Sequence, residues 1–305
     1  MSSLVIKNKD KEYRMTNKVL GKGTFSIVVE GIDVVNKKAV AIKYPRRPIE
    51  DEQRLNLYRK EMVIYYQEMQ KIANITNHVE IYDYFICPIK YDNEVIKAPI
   101  VVMRKYSKTL KDLLNERARK CMKFKTYEVV VFIRDVLRHL RYLYKQNMFS
   151  CKLSPERIFI DVENDGNYEY IMPDFAVNKE LKDGILSLAS KEVYFDYYSP
   201  PEYKPSHKYD IFMLGSILYE MLTFRKYKLD LFHGRVTDET GIFTDLIQQC
   251  VDEQADERPS YDRVFCLIRQ LILIDLYPKR PLEDNEYYAY LPFCEEELEK
   301  LYPKH

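Results

Sequence analysis

The sequence contains no tryptophan and only eight glycines in 305 residues, where an average usage of about 7% would supply more than twice as many. Glycines kept in so sparing a chain are expected where the backbone needs them. Long apolar runs are absent too. No stretch reaches the roughly 18 consecutive apolar residues that span a bilayer, which predicts a soluble protein. The first residues carry no apolar leader, and the six cysteines (Cys87, Cys121, Cys151, Cys250, Cys266, Cys294) form no CxxC pair. A reducing, cytoplasmic compartment is therefore expected. An excess of charge is missing as well: 48 Lys and Arg against 47 Asp and Glu leave a net charge of +1. That gives no overall field to hold nucleic acid or an anionic membrane. There is no internal repeat and no low-complexity tract.

What the chain does have is 46% hydrophobic residues, enough for the core of one two-lobed domain or of two small ones. Through residues 12–43 apolar and polar residues alternate around Gly21-Lys22-Gly23 and Asn36-Lys37-Lys38, which predicts consecutive antiparallel strands. Leu55, Tyr58, Met62, Tyr65, Met69 and Ile72 follow the about 3.6-residue period of an amphipathic helix. Strands are predicted again over residues 79–87 and 100–103. Beyond Leu110 helical periods take over, through Val130, Ile133, Leu137, Leu140 and Tyr144, then over residues 211–222 and 261–274. The reading is an α+β chain with a β-rich unit carrying one main helix over residues 1–106. A larger helical unit follows over residues 107–277. Residues 278–305 form a C-terminal extension packed on it.

Two of the scarce glycines, Gly21 and Gly23, open the segment that ends at Val28, between two predicted strands. There the backbone could close over the phosphates of a ligand, although turns between strands use glycine too. Val40-Ala41-Ile42-Lys43 ends an alternating strand on a lysine, which can reach phosphates and pair with a helix carboxylate. Glu61 is the candidate partner, with Glu68 as the alternative. Met103-Arg104-Lys105-Tyr106 joins an apolar strand to a helix. Further on come Asp174-Phe175-Ala176, Pro200-Pro201-Glu202, Asp210 with Gly215, and Arg258-Pro259-Ser260.

In this order, across nearly the whole chain, these segments resemble the protein kinase superfamily. The resemblance implies a bilobal fold with a small β-sheet N-lobe and a larger helical C-lobe. It implies nucleotide contacts at Gly21, Gly23, Val28, Ala41, Lys43, Glu61, Met103 as gatekeeper, Phe159 and Asp174. It also implies a buried ion pair between Glu202 and Arg258. An active member reads His-Arg-Asp-Leu-x-x-x-Asn at its catalytic loop, whose Asp accepts the substrate hydroxyl proton and whose Asn holds magnesium. The matching run here is Ser150-Cys151-Lys152-Leu153-Ser154-Pro155-Glu156-Arg157-Ile158. Lys152 stands in the place of the base and Arg157 in that of the metal ligand. Lysine, with a usual pKa of about 10.4, is a cation at neutral pH and takes no proton. Arginine has no acceptor atom to offer a metal. The expectation is a pseudokinase with no catalytic residue and no metal site, binding ATP weakly or without metal, with Arg157 meeting phosphate directly. Phe159 lies where the family has a smaller residue beneath the adenine, free either to stack or to block.

Lys152, the run Ile100-Val101-Val102-Met103 with Lys111-Asp112-Leu113-Leu114, and Cys250 ahead of Glu257-Arg258 resemble the mixed-lineage kinase domain-like pseudokinases of necroptosis. Asp174 departs from that pattern. In that group a membrane-disrupting helical bundle precedes the kinase-like part, and this chain is read as beginning close to the first strand, like a truncated poxviral relative. The resemblance implies a viral decoy that occupies a host receptor-interacting kinase, with neither nucleic acid nor membrane as partner. A scaffold or allosteric regulator of another kinase is the alternative, as is an enzyme with residual or unconventional ATP-dependent transfer. Between Asp174 and Glu202, Ser187, Ser190, Tyr194, Tyr197, Tyr198 and Ser199 are candidate phosphoacceptors, although hydroxyls on an exposed loop are ordinary.

Overall fold

A strand not foreseen from the sequence opens the chain: β1 (Val5–Asn8), of whose four residues only Ile6 is buried. One apolar position is too little to show as alternation. The predicted strands follow as β2 (Lys11–Lys22), β3 (Ser26–Asp33) and β4 (Lys38–Pro45), with β5 (Ile81–Tyr91) and β6 (Glu94–Arg104) longer than expected. The computed structural model describes residues 4–22, 26–45, 78–91, 94–145, 148–151, 153–162, 168–172, 178–181, 184–187, 198–202, 206–227, 243–273, 290 and 293. The helix predicted over residues 52–72 lies outside them. Contacts divide the chain into two units, Met1–Tyr106 and Ser107–His305.

In the first unit all six strands form one antiparallel sheet in the order β1-β2-β3-β4-β6-β5. Val29, Ile42 and Val102 stand in one cross-strand row, and Met15, Gly31 and Val40 in the next. These rows join Ile6, Tyr13, Phe85, Cys87, Ile89, Ala98 and Ile100 in the core of this unit. Gly31 is needed here for room: a Cβ on it would come 2.3 Å from Ile42 Cδ1. Pro99 lies beyond the last β6 residue paired with β4, where the strand has a neighbour on one side only, the setting in which a strand tolerates proline. Asp83, buried on β5, ties the two edges of the sheet together. It accepts hydrogen bonds from Asn8 Nδ2 at 3.0 and 3.1 Å and from Tyr13 Oη at 3.2 Å, while Lys11 Nζ donates to the Tyr82 carbonyl at 3.1 Å. Burial, with Asp83 alongside, pushes the Tyr13 phenol well up.

The second unit begins at β7 (Lys108–Thr109) and α1 (Leu110–Lys120), whose first turn is closed by a reciprocal cap between Thr109 and Asp112. α2 (Thr126–Lys145) buries Val130, Ile133, Leu137 and Leu140 of the predicted apolar face at 0–1% exposure, whereas Tyr144, expected on the same face, is exposed near the helix end and lies against the Tyr261 ring. Short strands follow: β8 (Met148–Phe149), β9 (Phe159–Val162), β10 (Tyr168–Ile171), β11 (Asn178–Leu181) and β12 (Gly184–Ser187). They make two three-stranded sheets, β10-β9-β7 and β12-β11-β8. Among the described residues the remaining α-helices are α3 (His207–Thr223), α4 (Thr244–Cys250) and α5 (Tyr261–Leu271), with Ser206 capping α3 and Ser260 capping α5.

α3 is buried nearly all round. At Gly215 the end of α4 comes so close that a Cβ would sit 2.6 Å from Cys250 Cβ and 2.8 Å from Cγ1 of the next residue, Val251. Tyr290 and Phe293, far along the chain, are buried in the same core. The ion pair expected from the resemblance is present. Arg258, with its side chain at 0% exposure, grips Glu202 through both terminal nitrogens at 2.6 and 2.8 Å, donates to the carbonyls of Asp252 and Lys208, and lies over the Phe212 ring. Breaking one side of a buried pair strands the other charge. Glu202→Ala is expected to cost about 3 kcal/mol, toward the low end for such pairs because the carbonyls keep part of the guanidinium satisfied; urea denaturation reads it, and a loss under about 1 kcal/mol would contradict this account.

Candidate functional site

Cross-strand pairing decides which predicted residues can act together in the first unit. Gly21 pairs with Val28, Val28 with Lys43, and Lys43 with Val101; in the neighbouring row Glu30 pairs with Ala41 and Ala41 with Met103. Paired residues present their side chains to the same face, and residues two apart along a strand do so as well. Gly21, Val28, Ala41, Lys43 and Met103 therefore share the face opposite the Val29, Ile42 and Val102 row. Gly23 and Glu61, with the alternative Glu68, lie outside the described residues. Among the described residues nothing stands within 4 Å of where a Cβ on Gly21 would be, so none of them demands glycine there. Glu30, which the sequence reading did not single out, adds a carboxylate to this face. It pairs with Lys105 and, at 3.6 Å, with Lys18, and the Lys105 ammonium first of all holds its pKa below the usual carboxylate value.

In the second unit the loop that matches the family's catalytic loop has a firm scaffold on both sides of Lys152, which itself lies outside the described residues. Asp210, four residues past the Ser206 cap and fully buried, accepts the backbone N–H of Ser150 at 2.9 Å and of Cys151 at 2.5 Å. Cys151 is left-handed, with φ 50°, a conformation that costs an L-residue with a Cβ roughly 1–2 kcal/mol. Two hydrogen bonds to one carboxylate hold it there. After the gap Leu153 and Ile158 are at 0% exposure in the core. Between them a tight turn returns the N–H groups of Arg157 and Ile158 to the Ser154 carbonyl, and α1 clamps that turn from outside, Lys111 N–H donating to the Pro155 carbonyl and Leu110 N–H to that of Ile158. Arg157 thus has a fixed backbone and an exposed side chain. Phe159, half-buried, starts β9 between Thr109 and Ile171.

Asp174 lies outside the described residues. Of the segment beyond it, β11 pairs with β8, setting Asn178 against Phe149, directly ahead of Ser150. Among the described residues no group of three His, Cys, Asp or Glu side chains is placed to hold a metal ion.

Two buried carboxylates were not legible as parts of this arrangement. Asp135 on α2 accepts the N–H of Tyr170 at 3.0 Å, which fixes the β9–β10 hairpin to the helix; burial raises its pKa. Glu220 on α3 receives Lys111 Nζ at 2.6 Å and the Tyr198 hydroxyl. The second contact corrects an expectation: Tyr198 is not an exposed loop hydroxyl but is 1% exposed, its ring in the core and its oxygen on Glu220. Ser199 is half-buried, the side chain of Ser187 is not described, and Ser190, Tyr194 and Tyr197 lie outside the described residues.

Among known proteins, the protein kinase domain family matches residues 14–267, and the chain belongs to that family. Its antiparallel sheet followed by a helical unit is the family's two-lobed α+β make-up. A protein named as probable serine/threonine-protein kinase nek3, from Dictyostelium discoideum, is 26% identical over 142 residues, 44% of this chain and 12% of that protein. Calcium-dependent protein kinase 5 of Plasmodium berghei (strain Anka) is 26% identical over 227 residues, 72% of this chain and 36% of that protein. The chain spans well under half the length of either relative. No helix among the described residues is long and apolar enough to cross a membrane.

Burial pushes the Asp210 carboxyl from 3.8 up to about 7, against the hydrogen bonds from Cys151, Ser150 and Tyr261 that favour its charged form. A folded-state value above the ordinary one means that folding takes up a proton. The stability this group adds is complete below about pH 4 and is lost as the pH rises through about 7. The stability of the wild type minus that of Asp210→Asn is therefore expected to fall across this window in urea denaturation. A difference that stays constant from acid to neutral pH would refute the assignment.

Proposed function

We propose that this chain is a pseudokinase: it keeps the kinase fold, does not transfer phosphate by the usual route, and acts by binding other proteins. The observation that carries this reading is the pair of cations in the catalytic loop. Lys152 brings an ammonium to the place where a base must accept a proton, and Arg157 brings a guanidinium to the place where an oxygen must meet magnesium. Neither defect is repaired by the other, since both add positive charge. The loop backbone is nevertheless held by Asp210, Leu153 and Ile158 as a scaffold would be. Such a surface can be presented to a partner without performing chemistry on it.

Nucleotide still fits the residues of the first unit. Gly21 leaves open space on the face that Val28, Ala41, Lys43 and Met103 share. There Lys43 would meet phosphate, and Ala41 and Met103 would border the base. The nucleotide's role is then structural. The partner fitted to this reading is another protein kinase, engaged as its own substrate or regulator would be. The narrower version, a viral decoy for a receptor-interacting kinase, rests on the resemblance of Lys152 and its neighbouring segments to the mixed-lineage group, and neither relative reported above belongs to that group by name. A second reading, slow or unconventional transfer from ATP, is favoured by the shared face of Gly21 and Lys43 and by relatives that are named as kinases.

Radiolabelled ATP separates the two. Equal background label is expected on wild type, Lys43→Ala and Asp174→Ala, whereas label on the wild type alone would establish transfer and end the pseudokinase reading. In thermal-shift titration ATP is expected to raise the melting temperature alike with and without magnesium, and Lys43→Ala to abolish the rise. No response at millimolar ATP would remove the nucleotide. Co-precipitation from necroptosis-competent cells tests the decoy, which fails if no receptor-interacting kinase is recovered.

A further inference from the structure

β2 does not run evenly along β3. Its pairing slips between Met15 and Val19 and again between Val19 and Gly21. The Thr16 hydroxyl bridges the first slip, donating to the Glu30 carbonyl at 2.9 Å and accepting the Lys18 N–H at 3.2 Å. Such bulges re-aim side chains and are over-represented beside functional sites. Here the irregularity sets the Lys18 ammonium 3.6 Å from the Glu30 carboxylate. From the other side comes Lys105, two residues past Met103, which also pairs with Glu30. Its side chain has to cross β4, which separates β3 from β6, a span of about 10 Å between the outer two strands. On this face β4 presents only the methyl groups of Ala39 and Ala41 there, which leaves room for the crossing.

One carboxylate thus joins the irregular stretch of β2, β3 itself and the segment leaving β6. Glu30 stands in the same cross-strand row as Ala41 and Met103, the row that would border a base, whereas Gly21, Val28 and Lys43 make the row that would meet phosphate. The side chains of Lys105 and Glu30 are 25% and 21% exposed, and a pair so open to water adds little to folding. Its place, however, lets it fix β3 against the segment past Met103. We infer that Glu30 and Lys105, with Lys18 behind them, form a clasp that positions the base half of a bound nucleotide. The inference rests on the nucleotide reading above. Walls already held together spare the ligand the cost of ordering them, which is how preorganisation raises affinity. Phosphate is left to Lys43.

Displacement of trinitrophenyl-ATP from the full chain by ATP, adenosine and inorganic tripolyphosphate separates the two halves of the ligand. K105M and E30Q are each expected to weaken ATP and adenosine severalfold and to leave tripolyphosphate as it is. Lys43→Ala is expected to do the reverse, weakening ATP and tripolyphosphate and sparing adenosine. The urea midpoints of K105M and E30Q are expected to match that of the wild type, which makes the loss one of binding. K18E/E30K/K105E keeps the clasp with every sign exchanged and is expected to regain the wild-type affinity for adenosine. Wild-type affinities in K105M and E30Q, an equal loss for tripolyphosphate, a loss that only follows a lowered urea midpoint, or no recovery in the mirrored chain would each overturn the clasp and leave nucleotide binding standing. A wild type that binds neither trinitrophenyl-ATP nor ATP would overturn the nucleotide reading, and the clasp with it.

Discussion

Two backbone N–H groups, those of Ser150 and Cys151, converge on the buried carboxylate of Asp210, and the shape of the loop that defines this family depends on that convergence. An intramolecular hydrogen bond contributes about 0.5–1.5 kcal/mol net, so two of them are of the size needed to offset what the left-handed turn at Cys151 costs. α3 can supply the carboxylate because Gly215 lets α4 close against it and the Ser206 cap fixes where the helix starts. The scaffold is thus built from α3 outward, while the side chains it displays were free to change. On the proposed reading Lys152 and Arg157 change the chemistry of the loop, while the hydrogen bonds described here as its supports are made by other groups, the backbone N–H of Ser150 and Cys151 and the carboxylate of Asp210.

The same separation holds in the sheet. Its interior face is packed by Val29, Ile42 and Val102, and its other face carries Gly21, Ala41, Lys43 and Met103. Alternation makes the two sets independent. Core demands are met by one half of each strand, which leaves the other half to a ligand.

Much of this was legible in the sequence where one signal had one meaning. Strict alternation announced β2, β3 and β4, and long apolar periods announced α2, α3 and α5, because each pattern has few ways to bury its face. The Glu202 and Arg258 pair was readable from the order of the segments around it. What could not be read were contacts whose partners are distant and chemically ordinary. Asn8 and Asp83 are 75 positions apart, β1 shows one buried residue, and nothing near Glu220 hints that Lys111 and Tyr198 meet there. Tyr198 shows the cost of that blindness: a hydroxyl in a polar-looking stretch was taken for surface, when its ring fills the core and its oxygen has a buried acceptor to satisfy.

The bonds of Asn8 and Tyr13 to Asp83, with that of Lys11 to the neighbouring Tyr82 carbonyl, have a consequence for how anything could hold the first unit. Unpaired strand edges are where foreign chains usually add themselves, backbone to backbone. Here the edge near Asp83 is already spoken for, with a lysine capping one of its carbonyls. A visitor pairing at that corner would first have to displace the bonds at the Tyr82 carbonyl and the Tyr84 N–H, so side-chain chemistry would weigh in its selectivity beside the indiscriminate ladder that any extended peptide can offer.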